Sequence, residues 1–580
     1  MAIVKAKING IDVEVASGAT ILEAAKKIGV HIPTLCHLNL EGFGIVNKVA
    51  SCRACVVEVE GRMALAPSCA EKITEGMVVR TDSLRAITGR RMAIELLLSN
   101  HPQDCLVCPK NLECELQALS QEMGVREIKW IGEKMDYPID KTTASLVKDP
   151  NKCIMCRRCE TMCNEVQTVG VLSGINRGFD AVVGPAFNLD MEHTACTFCG
   201  QCVAVCPTGA LTEINDVGKV WRALNDETKH VVVQVAPAIR VAIGELFGME
   251  PGTVTTGQLA SSLRRLGFDA IFDTDFAADL TIMEEASELV HRIEHGGKLP
   301  MLTSCCPAWV KFFEHQFPDM LDIPSSCKSP QIMMGSMVKT YYAKKMGLDP
   351  ENVVMVSIMP CLAKKAEAAR PELAKDDLNN VDLVLSTREY GAMLHEAGVQ
   401  FDVLPEGDFD QLLGESTGAA VIFGTTGGVI EAAARTAYEW LTGEELEKVE
   451  FSQLRGLEGI RSASVMIKDF ELNIGIAHGL GNARKLLEDI RDGKSHFHAI
   501  EIMACPGGCI GGGGQPYHHG DIEIIKKRQE AIYAEDRSKV RRKSHENEAL
   551  KSLYSEFLGE PYGSTAHELL HTRYVAREKI

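Results

Sequence analysis

Residues 499–515 read AIEIMACPGGCIGGGGQ. The first five form a mostly apolar run with the length of a strand buried on both faces, as in parallel α/β sheets. The run stops at Cys505, and Cys505-Pro-Gly-Gly-Cys509 then puts two thiols on one tight turn. Gly511–Gly514 lets backbone approach a bound group closely, because no Cβ intervenes. No P-loop Lys-Ser/Thr follows, which argues against a phosphate cradle. Two other apolar runs end in cysteine: LPMLTSCCPAW (299–309) and VVMVSIMPCLAKKAE (353–367). Ligands of open α/β sheets bind beyond the carboxyl ends of the strands. Cys305, Cys306, Cys361, Cys505 and Cys509 are therefore expected to meet in one crevice, although the outermost lie about 200 residues apart.

The same texture fills the chain from about residue 230. Strands are expected at 231–235, 299–303, 353–358, 383–386, 419–423, 472–477 and 499–503, with helices at 276–295, 308–317, 330–347 and 428–441. After Pro516 the chain turns polar and helical. The basic cluster at 539–543 reads as a solvated helix face.

The whole chain has 580 residues, enough for about four domains at roughly 150 residues each. Its net charge of −18 makes nucleic acid or an anionic membrane an unlikely partner. Fifteen of its 21 cysteines fall in residues 1–210 and six in the remainder. The opening stretch MAIVKAKINGIDVEV has no apolar core of signal-peptide length, and no window of about 18 apolar residues reads as a transmembrane helix. The expected setting is a reducing cytoplasm, where cysteine patterns are metal ligands rather than disulfides.

The N-terminal third carries three cysteine sets. Residues 1–80 begin with two alternating runs joined at Asn9-Gly10, the strongest short hairpin signal. Helical spacing at 20–28 and strand-like runs at 54–59 and 77–79 complete a small mixed unit. Cys36, Cys52, Cys55 and Cys69 in it are spaced differently from the plant-type pattern, yet four thiols in a β-rich unit fit a [2Fe–2S] cluster. Zinc is the alternative for that set. An amphipathic helix at 84–100 leads into HPQDCLVCPKNLEC (101–114). Cys105, Cys108 and Cys114 leave a four-coordinate cluster one ligand short, and His101 is placed to supply it. A histidine-ligated [4Fe–4S] cluster is the reading, with a Cys3His zinc site as the alternative.

Cys153, Cys156, Cys159 and Cys163 form C-x2-C-x2-C-x3-C, and Cys196, Cys199, Cys202 and Cys206-Pro207 repeat it. This is the run of bacterial two-cluster ferredoxins, in which each fourth cysteine serves the other cluster. Cys153, Cys156, Cys159 and Cys206 are thus assigned to one [4Fe–4S] cluster, and Cys196, Cys199, Cys202 and Cys163 to a second. Asn164 stands where the first run has proline in that pattern. Four clusters in 210 residues make an electron wire, which places the reaction centre in residues 220–520.

TSCCPAW (303–309), MPCLAKKAE (359–367) and MACPGGCIGGGGQ (503–515) resemble, in order, the three signature motifs of [FeFe]-hydrogenases. The upstream series of one [2Fe–2S] and three [4Fe–4S] sites matches as well, so the resemblance spans essentially the whole chain. It is similar to the long four-cluster forms, both ferredoxin-linked clostridial enzymes and catalytic subunits of NAD(P)-linked, sometimes electron-bifurcating, complexes. The resemblance implies that Cys306, Cys361, Cys505 and Cys509 hold a [4Fe–4S] cube, with Cys509 bridging to a two-iron unit bearing CO, cyanide and azadithiolate. Together these make the H-cluster. Cys305 is implied as the proton carrier, with Glu285, Glu288 and Ser325 continuing the path. Lys364 is implied as a cyanide donor, and Glu367 stands with it in the same motif. Pro237, Ala238, Gln331, Met359, Phe423 and Met503 are implied as pocket lining. Ala238 stands where many members carry serine, so its side chain offers no hydrogen bond to a cyanide.

Elementary chemistry favours the same residue types. A proton released by H2 cleavage needs an acceptor within hydrogen-bond reach and of moderate pKa, which a thiol beside a glutamate chain provides. A lysine point charge suits an anionic ligand. Read alone, Glu285 and Glu288 are solvated helix carboxylates, Lys364 a surface lysine and Cys327 a small core residue.

The fold expected is multidomain α+β. A β-grasp [2Fe–2S] ferredoxin-like domain (1–79) precedes a His-ligated [4Fe–4S] domain (80–140) and a bacterial 2[4Fe–4S] ferredoxin-like domain (141–215). An α/β catalytic domain of two parallel-sheet lobes (222–518) and a small-subunit-like helical segment (519–580) follow. The function expected is reversible H2 oxidation, exchanging electrons with ferredoxin or a flavoprotein subunit and depending on maturation proteins. No dinucleotide fingerprint is evident in the chain itself. Two alternatives stand beside it. A non-catalytic hydrogenase-like protein of sensing or cluster assembly is disfavoured by the presence of Cys305, Met359, Lys364 and Glu367. An electron-transfer subunit like that of respiratory NADH dehydrogenase accounts only for residues 1–212.

Overall fold

A computed structural model describes residues 2–40, 47–375, 377–446, 448–467 and 470–578. The parts of the expected 1–79, 222–518 and 519–580 units at residues 1, 41–46, 376, 447, 468–469 and 579–580 lie outside that range.

The N-terminal unit is a five-stranded mixed sheet with the helix Ile21–Lys27. Strands Ile3–Ile8 and Ile11–Ala16 pair antiparallel, turning at Asn9 and Gly10, which both have positive φ (49° and 84°). That is the twist-matched turn for which Asn-Gly is preferred. Thr20 and Glu23 form a reciprocal capping box at the helix start. The long helix Leu84–Asn100, capped by Ser83, leads to the second cysteine set. The third set hangs between two small antiparallel ribbons, Leu146–Lys148 with Leu211–Glu213 and Ser173–Ile175 with Val182–Gly184.

Two four-stranded sheets follow. In the first, Ala270–Asp273, His230–Val235, Val353–Met359 and Leu383–Ser386 lie side by side, all parallel. In the second, Met301–Leu302, Ala499–Met503 and Phe470–His478 are parallel, and Ile460–Ile467 adds an antiparallel edge. All five residues of Ala499–Met503 are buried, as a central strand covered on both faces requires. Helices expected at 276–295, 308–317 and 428–441 form as Thr274–His295, Pro307–Gln316 and Gly428–Thr442. The one expected at 330–347 is continuous but widens by one residue per turn over Val338–Tyr342. Among the described residues no helix is long and apolar enough to cross a membrane.

Two expectations fail. Residues 419–423 are not a strand: Gly418–Val421 is a helical turn that tightens through Ile422–Gly424. A short apolar run does not distinguish strand from buried helix. Here the backbone is captured at its start, where Asp279 accepts from Thr417 N–H and Oγ1–H at 3.0 and 2.7 Å. The basic cluster is no solvated helix face either. The helix Ile522–Ser538 ends before it, and Arg542 and Lys543 are spent on Asp536, Glu450, Glu439 and Glu546.

Candidate active site

The carboxyl ends of both sheets open on one mostly apolar cavity. Cys306, Cys361, Cys505 and Cys509 line it, from three different strand ends. So do Cys305, Lys364 and all six expected lining residues: Pro237, Ala238, Gln331, Met359, Phe423 and Met503. Phe423 arrives on the tightened helical turn, not on a strand. Burial raises the thiols, taking Cys361 up to about 12 with help from neighbouring Cys306. Four cysteines crowded in a dry apolar cavity are poor company for one another as thiolates, but a cationic iron cluster neutralises them. The donor set therefore fits an iron–sulfur cube. The Ala504 N–H already points at Cys306 Sγ, at 3.4 Å.

Gly512 of the glycine run lines the cavity, and the run also packs closely on backbone. A Cβ on Gly512 would lie 2.1 Å from the Pro360 carbonyl oxygen, and one on Gly511 2.1 Å from that of Pro506. One on Gly513 would lie 2.6 Å from both Cys199 O and Gly200 Cα. What these glycines admit is neighbouring backbone. Gln201 Nε2 donates to Gly511 O (2.9 Å), Gln167 Nε2 to Ala504 O (2.9 Å) and Ser145 Oγ to Leu362 O (2.8 Å). The cysteine loop of the accessory region is thus bonded directly to the loops that carry Cys361, Cys505 and Cys509.

Beside Cys305, the helix Thr274–His295 presents Glu285 and Glu288, both buried rather than solvated. Burial, with Glu288 nearby, pushes the Glu285 carboxyl up to about 8. Ser304 N–H and Oγ–H point at Glu285 Oε1 from 3.4 and 3.5 Å. Glu288 Oε2 accepts from Ser325 Oγ (2.9 Å) and from Ser326 N (3.0 Å). Arg292, one turn on, grips Glu288 Oε1 at 2.5 Å. Sequence reading missed Ser304, Ser326 and Arg292; the i,i+4 spacing of Glu288 and Arg292 was the available signal.

Lys364 is not a surface lysine. It is buried, and its ammonium donates to Cys305 O (3.1 Å) and Glu367 Oε2 (2.8 Å). Burial disfavours its charge, but the Glu367 carboxylate outweighs that and raises its pKa. Glu367 Oε2 also accepts from Ser329 Oγ and Gln331 Nε2, at 2.9 and 3.0 Å. Gln331 Oε1 is left buried without a partner.

The accessory cysteines also cluster. One small cavity is lined by Cys153, Cys156, Cys159 and Cys206, another by Cys196, Cys199, Cys202 and Cys163. Cys36, Cys52, Cys55 and Cys69 touch one another through sulfur, Cys55 and Cys69 at 3.3 Å. Cys105 is exposed, and Cys108 and Cys114 are half-buried. His101 is buried with an unpartnered Nδ1, and burial pulls its pKa down to about 4. A neutral imidazole with an idle lone pair suits a metal.

Comparison with known proteins accounts for each segment. Residues 229–513 match the family "Iron only hydrogenase large subunit, C-terminal domain", and 522–577 match "Iron hydrogenase small subunit". Residues 2–83 match a 2Fe-2S iron-sulfur cluster binding domain, 90–129 the NADH-ubiquinone oxidoreductase-G iron-sulfur binding region, and 152–210 a 4Fe-4S dicluster domain. The chain is 58% identical to NADP-reducing hydrogenase subunit HndD of Solidesulfovibrio fructosivorans, over 100% of both chains. It is 40% identical to iron hydrogenase 1 of Clostridium pasteurianum, over 98% of this chain and 99% of that one. A variant of the [FeFe]-hydrogenase HydA1 of Chlamydomonas reinhardtii superposes with a TM-score of 0.57 at 45% identity, covering 63% of this chain and 99% of that one. With a four-cysteine cavity at the junction of two sheets, cluster-binding units bonded to its loops and relatives matching from end to end, the chain belongs to the iron-only, or [FeFe], hydrogenase family.

Proposed function

We propose that this chain catalyses reversible oxidation of H2 to protons and electrons, at an H-cluster held by Cys306, Cys361, Cys505 and Cys509. The observation that carries this is the convergence of those cysteines with Cys305 and Lys364 on one apolar cavity, backed by buried carboxylates. When bound, the H-cluster supplies the redox-active Lewis acid at which H2 is cleaved heterolytically. The chain's residues manage the proton. Cys305 passes it to Glu285, whose raised pKa of about 8 lets it both take and release a proton near neutral pH. Ser304 orients Glu285, Ser325 and Ser326 orient Glu288, and Arg292 holds the outer carboxylate. Glu367 holds the Lys364 ammonium at the cavity wall, charged and ready for an anionic ligand. Pro237, Ala238, Met359, Phe423 and Met503 keep water out, which strengthens every charge interaction inside.

The accessory set is read as one [2Fe–2S] cluster on Cys36, Cys52, Cys55 and Cys69, and three [4Fe–4S] clusters. One of these is held by His101, Cys105, Cys108 and Cys114, and the other two by the crossed ferredoxin pattern. Domain boundaries at 79, 140 and 215, with the catalytic unit at 222–518 and a helical segment after it, follow from this assignment, as does a β-grasp form for the first. The end-to-end likeness to a subunit named NADP-reducing hydrogenase supports partner subunits; the electron partners are read as ferredoxin, NAD(P)-linked flavoprotein subunits, or both. A cytoplasmic setting suits unpaired thiols and cluster ligation.

Infrared spectroscopy of protein made with its maturation machinery tests the reading. CO and cyanide bands accompanied by H2 turnover are expected, and inactivity without the machinery. Cluster-loaded protein lacking both bands and turnover would favour the sensing or assembly alternative.

A further inference from the structure

Cys327, the one cysteine assigned neither as a cluster ligand nor as a proton carrier, lies beside the proton route. Its Sγ is 3.9 Å from Glu288 Oε2 and 3.9 Å from His571 Nδ1. All three side chains are buried, and their ligand atoms lie within 4.8 Å of one another. The arrangement is built into the backbone. Residues 327 and 571 face each other in an antiparallel bridge, flanked by Lys328 N–H to Leu570 O and Thr572 N–H to Ser326 O, both 2.7 Å. Glu284 Oε2 sits 2.9 Å from His571 Nε2, with Tyr554 O–H and Tyr562 N–H also bound to that carboxylate. A carboxylate behind the far nitrogen fixes the tautomer and leaves Nδ1 as the lone-pair donor, as in carboxylate–histidine–metal triads.

We propose that Glu288, Cys327 and His571 form a divalent-cation site of zinc type, whose occupation arrests the proton route at Glu288. Tetrahedral zinc with Zn–S of about 2.3 Å and Zn–N of about 2.0 Å separates sulfur from nitrogen by roughly 3.6 Å, so the 3.9 Å found closes with a small shift. The ion takes Glu288 Oε2 while Arg292 keeps Oε1. It displaces the Ser326 hydroxyl, whose oxygen lies 2.8 Å from His571 Nδ1 and 3.2 Å from Glu288 Oε2. On binding, the Cys327 thiol gives its proton to solvent and its sulfur bonds the metal, with no change of oxidation state. Half-buried Ser326 and Tyr562, and exposed His567 stacked on His571 at 4.7 Å, mark the way in. The arrest rests on the H2-cycling reading above; the site itself does not.

The test is to titrate zinc chloride into matured holoenzyme, reading dye-linked H2 oxidation and zinc K-edge X-ray absorption. Bound zinc with one sulfur neighbour is expected, with inhibition that a chelator reverses and H-cluster infrared bands that do not move. Cys327→Ser should remove the sulfur neighbour, and Cys327→Ser and His571→Gln should each raise the half-inhibitory zinc concentration at least tenfold. Iron content verifies that both variants are folded and loaded. Zinc without a Cys327-dependent sulfur neighbour, or equal inhibition of both variants and wild type, overturns the site. Zinc bound through Cys327 without loss of turnover overturns the arrest. If the protein turns over no H2 at all, the absorption result still decides the site separately.

Discussion

Gly200 and Gly513 meet backbone to backbone: a Cβ added to either would come within 2.6–3.1 Å of the other's Cα. Gly200 lies between Cys199 and Cys202, and Gly513 four residues after Cys509. The contact therefore joins a cysteine loop of the 4Fe-4S dicluster domain to a cysteine loop of the hydrogenase domain.

Gly513→Ala should strain this junction. Overpacking of this kind costs about 1–3 kcal/mol, and backbone on one side must yield because no flexible side chain is there to move. We expect a lower melting temperature and slower H2 oxidation with ferredoxin as acceptor. H-cluster infrared bands should persist. Unchanged ferredoxin-linked rates would show that the close approach is dispensable.

Glu285→Gln should lower turnover by about 10²-fold or more, the usual scale of a lost acid–base group. Because the Glu285 carboxyl is raised to about 8, proton delivery for H2 evolution should decline as pH climbs through that value, and acceptance during oxidation should improve. Rate–pH profiles in both directions should lose that limb in the variant. The stability sign agrees: a carboxyl raised by burial favours the folded state below its unfolded pKa and loses that contribution as pH rises through about 8. Between the ordinary carboxylate range and about pH 8, the melting temperature of Glu285→Gln should fall less with rising pH than that of wild type.

Cys305→Ala should abolish turnover while the cluster still assembles. Cys305 lines the cavity beside Cys306, yet the four proposed ligands are complete without it. Iron content and the CO and cyanide bands should match wild type. Near wild-type turnover would remove Cys305 from the proton route.

His101→Ala should cost one accessory cluster, about four iron atoms per chain, because three thiols leave a four-coordinate site short. Elemental analysis separates this from a zinc site, where zinc rather than iron would disappear. With its pKa pulled down to about 4, the imidazole is neutral and able to ligate throughout the working range. An artificial dye acting at the catalytic unit should still support H2 turnover.

Residue order alone determined much of this protein. Spacing of three or four residues confines thiols to one loop, so the ferredoxin-like runs at 153–163 and 196–206 were legible without coordinates. Apolar runs ending in cysteine gave the strand ends, and Asn9-Gly10 gave its turn, because these are local preferences of backbone and burial. The tertiary structure decided what depends on partners distant in sequence. Residues 419–423 have strand-like composition but coil because Asp279 captures Thr417, a contact spanning 138 residues. Glu285, Glu288 and Lys364 look like surface charges in one dimension and are buried in three, held by Ser304, Ser325, Ser326 and the Cys305 carbonyl from other segments, with Arg292 and Glu367 one turn away on their own helices. The Gly511–Gly514 run announced a close approach to a bound group, and only packing showed its approach to the Cys199–Gly200 and Pro360 backbone. Cys327 carried no local signal at all; its neighbours Glu288 and His571 are brought to it by a helix and by a segment almost 250 residues downstream.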